Sequence, residues 1–198
     1  MAGIDPELFP LSVTRQIKGN RRIAREKALQ VLIAHEISGQ LWSELFSHIF
    51  YRDFNLGEDE VNTDAPKKLL TQDEISDLEA DTPIIWKESD LEFGRSLIEN
   101  AINDKENIDS LIKQFAKNWD FDRIALIDRL IMRIALIELL HYSEIPTRVT
   151  MNEALDIAKK FSTDKSSTFI NGVLDSILGY FIKEGKAIKT GRGLKTNR

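Results

Sequence analysis

Apolar residues recur along most of this chain at the three- and four-residue spacing of an amphipathic α-helix. The pattern predicts a first helix near 21–38 and a second near 41–54, and it returns over 89–184 with only short connections. Within this second half, 122–142 is apolar nearly all round, as expected of a helix at the centre of a domain. We predict an all-α fold of seven or eight helices, with no convincing strand.

Local signals set the predicted ends of the helices. Capping-box patterns at 89–92 and 150–153 predict helix starts there, because the first side chain of such a box bonds a free backbone N–H group. The Ile-Pro pair at 145–146 ends the central helix, and a polar turn over 162–167 precedes the last one. Gly172 inside the last helix costs about 1 kcal/mol relative to alanine. Its presence predicts the close approach of another backbone or of a ligand.

Composition divides the chain into a helical domain and less patterned flanks. We expect a flexible extension over 1–19, a helical domain over 20–184 and a flexible basic tail over 185–198. An acidic, polar insertion occupies about 55–88 of the domain. Near its end, the apolar run at 84–86 has the character of a hydrophobic tether.

The net charge of -5 hides an uneven distribution. Residues 52–110 carry 17 acids and 6 bases, a net of -11, whereas 15–27 and 183–198 each carry 6 bases and 1 acid, a net of +5. The C-terminal basic segment is most simply a solvated tail. The N-terminal one leads directly into a strong amphipathic pattern, which favours a function for its charge.

Three arginines, Arg21, Arg22 and Arg25, lie in the N-terminal turns of the first predicted helix, where positive charge is least favourable. Unpaired N–H groups give a helix N-terminus about half a positive charge, so acidic side chains are preferred there. On this reasoning the fold has no need of the arginines, whereas a planar guanidinium suits a phosphate group. The sequence therefore predicts a nucleic-acid site at the start of this helix.

The sequence carries no sign of catalytic or cofactor chemistry. Cysteine is absent, which excludes disulfides, thiol catalysis and thiolate metal sites, and the three histidines lack ligand spacing. The chain has no glycine-rich phosphate loop and no nucleophile motif. No apolar run reaches the roughly 18 residues of a membrane span, and no signal-peptide pattern is present. We expect a cytoplasmic protein that is not an enzyme and that needs neither cofactor nor membrane.

Four groups of residues, in this order and spacing, resemble the NusB family of transcription antitermination factors. They are Arg21 to Gln30; Asn118-Trp119 with Asp122 to Arg129, Arg133 to Ala135 and Glu138-Leu139; Ile145-Pro146, Val149, Asn152 to Ala154 and Ala158 to Phe161; and Phe169 to Asp175. The last three groups make the resemblance specific, whereas the arginine-rich start alone would be a weak signal.

The resemblance implies an all-helical, NusB-like fold in which two three-helix bundles pack together, and a protein without catalytic activity. It also implies a partner, the small-subunit ribosomal protein NusE, with which NusB proteins bind boxA sequences in nascent RNA. The pair helps RNA polymerase to read through terminators, mainly in ribosomal RNA operons. The resemblance also leaves open whether this chain forms a homodimer, because some members of the family form homodimers that bury their RNA-binding surface.

The resemblance assigns roles to individual residues. The RNA-binding positions are Arg21, Arg22, Arg25, Gln30, Lys165, Ser166 and Phe169, and the partner-binding positions are Asp128 and Arg129. Spacing alone makes Phe169 a core residue, because it is in phase with the apolar residues that follow it. Arg129 and Arg133 lie four residues apart, so their repulsion needs a counter-charge. Asp128, a partner protein and an RNA phosphate are the candidates.

Two departures from the family pattern leave an alternative open. A base-stacking tyrosine often found on the family's first helix corresponds to Ile33 here, and the acidic insertion is unusual. Both fit a protein scaffold that has the NusB fold without selective RNA recognition. A third hypothesis is the NusB-like module of certain ribosomal RNA cytosine methyltransferases. The length of 198 residues and the absence of a cysteine nucleophile disfavour it.

Overall fold

The structure, a computed structural model, describes residues 17–51, 84–117 and 119–185, with the side chain of residue 164 excepted. Within these residues the chain forms seven α-helices and one short 3-10 helix, Phe121–Arg123. The predicted all-α class is confirmed. Most of the predicted extension, insertion and tail lies outside these residues. The helices are α1 (Arg21–Ser38), α2 (Trp42–Tyr51), α3 (Glu88–Asn103), α4 (Lys105–Phe115), α5 (Leu126–His141), α6 (Thr147–Phe161) and α7 (Asp164–Lys183).

Helix α5 is the centre of the fold. It contacts α1, α3, α4, α6 and α7, and every residue from 130 to 139 is buried. The predicted burial of this apolar segment is therefore confirmed. None of the helices in the described part of the chain is both long and apolar enough to cross a membrane.

The helices form two packed groups. In the first group α1 packs against α2 and α3, and in the second α4, α6 and α7 surround α5. Contacts of α5 with α1 and α3 join the groups, so the predicted arrangement of two small bundles is confirmed. The second group holds four helices rather than three, because α4 lies against both α5 and α7.

A buried ion cluster ties the two groups together. Arg133 of α5 is 3% exposed and donates to both oxygens of Asp109 on α4, at 2.7 and 2.9 Å, and to Glu36 on α1, at 3.0 Å. These two acids, rather than Asp128, supply the counter-charge that the sequence required. Burial raises the pKa of Glu36, but hydrogen bonds from Lys105 and Arg133 outweigh this effect, so the pKa lies below its ordinary value.

Two short strands correct the expectation that the chain has none. The strands β1 (Ile17–Lys18) and β2 (Ile84–Ile85) pair in parallel, and two residues are too few to show an alternating pattern. After β2, Trp86 lies against Gly19 and donates its indole N–H to the carbonyl of Phe50 at 2.9 Å. The predicted tether at the end of the insertion is thus confirmed.

The capping-box predictions for α3 and α6 were wrong. Helix α6 begins three residues before its predicted box, because the hydroxyl of Thr150 donates instead to Glu138 at 2.5 Å. Helix α3 begins at Glu88, and its N-cap residue makes no side-chain cap bond. By contrast, Asn20 caps α1 by accepting from the N–H of Ile23 at 3.0 Å.

Two predictions about the last helix also need correction. Helix α7 begins at Asp164, so the polar turn before it is shorter than the predicted 162–167. Gly172 has open space around it, with no atom within 4 Å of the position that a Cβ would occupy. The predicted close approach of another backbone is therefore absent from the described residues, whereas the alternative of a ligand stays a prediction.

Candidate nucleic-acid interface

Arg22 is the most exposed of the three arginines at the start of α1, with 52% of its side chain accessible. Its guanidinium donates to the carboxylate of Asp156 on α6 at 2.7 Å, and its Nε lies 4.0 Å from Glu153. Exposed ion pairs of this kind contribute about 0–1 kcal/mol. A phosphate group, which accepts two parallel bonds from arginine, can therefore replace Asp156 at little cost.

Arg21 occupies an intermediate position. Its guanidinium lies over the ring of Phe93 at 4.9 Å and 3.5 Å from the carboxylate of Glu144, while 42% of the side chain stays accessible. The stacked ring fixes the guanidinium plane, and the open edge of that plane is available to an anion.

Arg25 is buried and belongs to the fold. It is 5% exposed, its Nε donates to Glu138 at 2.6 Å, and its Nη1 lies 3.7 Å from Glu153. Glu138 is itself 1% exposed and accepts a second hydrogen bond from Thr150. The reasoning that the fold does not need these arginines was wrong for Arg25. The sequence did not show that acids from α5 and α6 converge on the start of α1.

Two lysines at the end of α6 extend the positive surface. Lys159 and Lys160 are 63% and 58% exposed, and they follow Asp156 by one turn. Lys160 reaches Glu26 of α1 at 2.6 Å, and Lys159 lies 3.7 Å from Asp156. We call the surface made by Arg21, Arg22, Lys159, Lys160 and Lys165 the basic strip.

Gln30 lies beside the basic strip on α1. It follows Arg22 and Glu26 at intervals of four residues, so all three lie on one face of the helix. Its side-chain carbonyl accepts from Lys27 at 2.9 Å. Gln30 is half-buried.

A hydroxyl network holds the far end of the strip. The carboxylate of Asp128 at the start of α5 accepts from Ser162 at 2.6 Å, and Ser162 in turn lies 2.9 Å from Ser166. Ser166 is buried, whereas Lys165 beside it is exposed. Asp128 is 6% exposed, so it has little accessible surface of its own, and it is linked to the turn between α6 and α7 through Ser162.

Phe169 follows Ser166 by one turn of α7 and is only half-buried. Its ring packs at 5.0 Å, centroid to centroid, against Trp119, which is 58% exposed. Next to this pair along the chain, the guanidinium of Arg129 covers the ring of Phe121 at 5.1 Å. The buried Nε of Arg129 has no hydrogen-bond partner within the described structure.

The structure brings the predicted RNA and partner residues to two neighbouring places. One is the first half of α1, and the other is the junction of α6 with α7. Ser162 at this junction follows Asp156 by six residues, which is about 9 Å at 1.5 Å per helical residue. Lys159 and Lys160, which link the two places, were not predicted. Lysines at a helix C-terminus complement the helix dipole, so their presence in the sequence needed no further explanation.

Comparison with known proteins agrees with the fold. The profile of the NusB family matches residues 22–179. Transcription antitermination protein NusB of Clostridium botulinum is 37% identical over 159 residues, which are 80% of this chain and 98% of that protein. The chain therefore belongs to the NusB family.

Solved structures show the same architecture. A crystal form of T. maritima NusB is 26% identical and superposes with a TM-score of 0.60, over 82% of this chain and 93% of that one. A structure of the antitermination factors NusB and NusE in complex with double-stranded RNA is 22% identical, with a TM-score of 0.58, over 81% and 96%. The second likeness bears on the fold alone.

Proposed function

We propose that this protein is a cytoplasmic RNA-binding adaptor in transcription antitermination. In this role it binds boxA-type RNA together with NusE and promotes read-through by RNA polymerase, mainly in ribosomal RNA operons. The observation that carries the proposal is the basic strip, whose charged groups stay accessible although several of them pair with nearby carboxylates. The printed role of the 37% identical relative, a transcription antitermination protein, supports the same conclusion.

The contacts divide the predicted RNA residues by role. Arg21, Arg22 and Lys165 supply phosphate contacts, because their charged groups are accessible. Arg25 positions Glu153, which lies between it and Arg22, and so acts on RNA indirectly. Ser166 holds the turn in shape.

Two further side chains extend the proposed RNA surface. Gln30 offers an amide at the edge of the strip, and Phe169 offers part of its ring beyond the turn. Neither carries charge, so we assign their contribution to contacts with bases or sugars rather than with phosphates.

NusE is the proposed protein partner, and Arg129 is the residue best placed to take part. Its side chain is partly exposed and its buried Nε has no hydrogen-bond partner among the described residues, so a shift of the guanidinium on binding would let it meet an acceptor from the partner. Asp128, one residue earlier, contributes by fixing the turn through Ser162.

Fluorescence anisotropy tests the proposal. A boxA-containing RNA and a scrambled RNA of equal length are titrated with the protein, with and without NusE, at two salt concentrations. We expect weak, salt-dependent binding alone and tighter, boxA-selective binding with NusE. The salt slope counts the phosphates in contact, and Arg22→Met lowers it by about one. Lys183→Met, which removes an exposed cation at the far end of α7, is the matched control.

A protein scaffold without selective RNA recognition is the second candidate. It is favoured by the acids within the strip, since Glu26 and Glu144 each hold one of its cations and Asp156 holds two. Equal, weak binding of both RNAs in the presence of NusE would support the scaffold and refute the adaptor.

Sedimentation of the protein with and without RNA tests a homodimer, because a dimer that buries the strip dissociates when RNA binds.

A further inference from the structure

Trp119 is exposed in a way that the two other tryptophans are not. It is 58% exposed, whereas Trp42 and Trp86 are partly buried and pack against the core. A large aromatic side chain left in water forgoes the free energy that burial would provide. Its position after α4, close to one end of the basic strip, points to a ligand that covers it.

The ring of Trp119 is fixed at the surface. Its backbone N–H donates to the carbonyl of Ala116 at 2.9 Å, which anchors the residue to the end of α4. On one side the indole packs against Phe169, at a centroid distance of 5.0 Å and an interplanar angle of 56°. A side chain held in this way loses little conformational freedom when a ligand stacks on it.

The surroundings favour a nucleotide as that ligand. Exposed Lys165 lies one turn before Phe169, and the guanidinium of Arg129 lies over Phe121 in the same region of the chain. Proteins bind unpaired nucleotides by stacking bases on aromatic rings and holding the flanking phosphates with cations. A base inside a duplex is already stacked on both faces, so the site selects single-stranded RNA.

We propose that Trp119 and Phe169 form a stacking platform for one unpaired RNA base. The platform lies at the junction of α6 and α7, which is one end of the basic strip. The proposal rests on the proposed RNA-binding function and adds Trp119 as a residue that recognises an unpaired nucleotide. It also gives a physical reason for RNA selectivity in a chain that has Ile33, a non-aromatic side chain, at a half-buried position on α1.

Anisotropy with a single-stranded boxA RNA tests the platform. We expect Trp119→Ala to weaken binding about 5- to 150-fold, the effect of losing one base–aromatic stack, and Trp119→Phe to retain most of the affinity. The salt slope stays unchanged, because no phosphate contact is lost. Ile182→Ala, which truncates an exposed apolar residue near the other end of α7, is the matched control and leaves affinity unchanged.

Abasic RNAs locate the stacked base. An RNA lacking the base at one position should bind the wild-type protein as weakly as Trp119→Ala binds the intact RNA. The substitution should then have no further effect on that RNA. Additive losses at every position would overturn the platform, because the side chain and the base would then act independently.

Other outcomes separate this inference from the proposed function. If wild-type protein binds boxA RNA selectively and Trp119→Ala binds equally well, the platform is refuted while the proposed function stands. If Trp119→Ala loses affinity for NusE in the absence of RNA and binds RNA normally, the ring is a protein contact and the platform is again refuted. If wild-type protein binds no RNA with or without NusE, both proposals fail.

Discussion

Replacing Arg25 by methionine should destabilise the protein far more than the same change at Arg22. Arg25→Met removes the charge from a 5% exposed site and leaves Glu138, 1% exposed, without its ionic partner. Removing one member of a buried ion pair costs about 3–5 kcal/mol. The exposed pair of Arg22 with Asp156 contributes about 0–1 kcal/mol.

Urea unfolding followed by circular dichroism measures the difference. A loss of 3–5 kcal/mol is a large part of the roughly 5–15 kcal/mol by which domains are stable, so the midpoint for Arg25→Met should fall markedly. Glu138→Gln, combined with Arg25→Met, should recover part of the loss because the buried carboxylate charge is then gone. Arg22→Met should unfold near the wild-type midpoint yet bind RNA with a reduced salt slope.

The reasoning would be refuted if Arg25→Met lost no more stability than Arg22→Met. It would also be refuted if Glu138→Gln made the Arg25→Met protein still less stable. In the first case Arg25 would not be a structural residue. In the second the unpaired charge of Glu138 would not be the cause of the lost stability.

Three further predictions follow from the structure. Asp156→Asn should raise RNA affinity about 1.4- to 5-fold in anisotropy titrations, the equivalent of releasing an exposed ion pair of about 0.2–1 kcal/mol. Because the pKa of Glu36 is lowered in the folded protein, its contribution to stability is present above its ordinary pKa of 4.5 and is lost as pH falls through the lowered value. Unfolding of Glu36→Gln should therefore depend less on pH in that acidic range. Gly94→Ala should destabilise by about 1–3 kcal/mol, because the new Cβ would lie 2.6 Å from the ring of Phe50, whereas Gly172→Ala should stabilise by up to about 1 kcal/mol in the same assay.

Each of these predictions has a contrary result. An unchanged or lower affinity of Asp156→Asn for RNA would mean that Arg22 does not meet phosphate. If the stability of Glu36→Gln fell with pH as steeply as that of the wild-type protein, groups other than Glu36 would be responsible for the loss of stability in acid. Equal effects of alanine at Gly94 and Gly172 would contradict the packing seen at Phe50.

Helical periodicity was sufficient to predict the helices and the central position of α5. The spacing of apolar residues indicates which face of a helix is buried, and the continuous apolar run of α5 indicates that this helix is packed on all sides. Helix starts were predicted less well, because Thr150 bonds Glu138 on a neighbouring helix and not the backbone of its own. A local pattern contains no information about such a long-range partner.

The candidate site was predicted only in part, for the same reason. Charge at the start of α1 marked the right surface, but the three arginines differ in burial according to which distant acids meet them. Glu138 and Glu153 reach Arg25, whereas Asp156 meets Arg22 at the surface. The exposure of Trp119 was equally hidden, since an aromatic residue after a helical pattern is more often part of a core.

Photo-crosslinking tests most directly whether RNA lies along the basic strip. A boxA RNA carrying 4-thiouridine at successive positions is irradiated with the protein and NusE, and the cross-linked peptides are identified by mass spectrometry. We predict cross-links at the start of α1 and over 159–169, with one RNA position joined to Trp119 or Phe169. Cross-links confined to α2 and α3, or to NusE alone, would contradict the account.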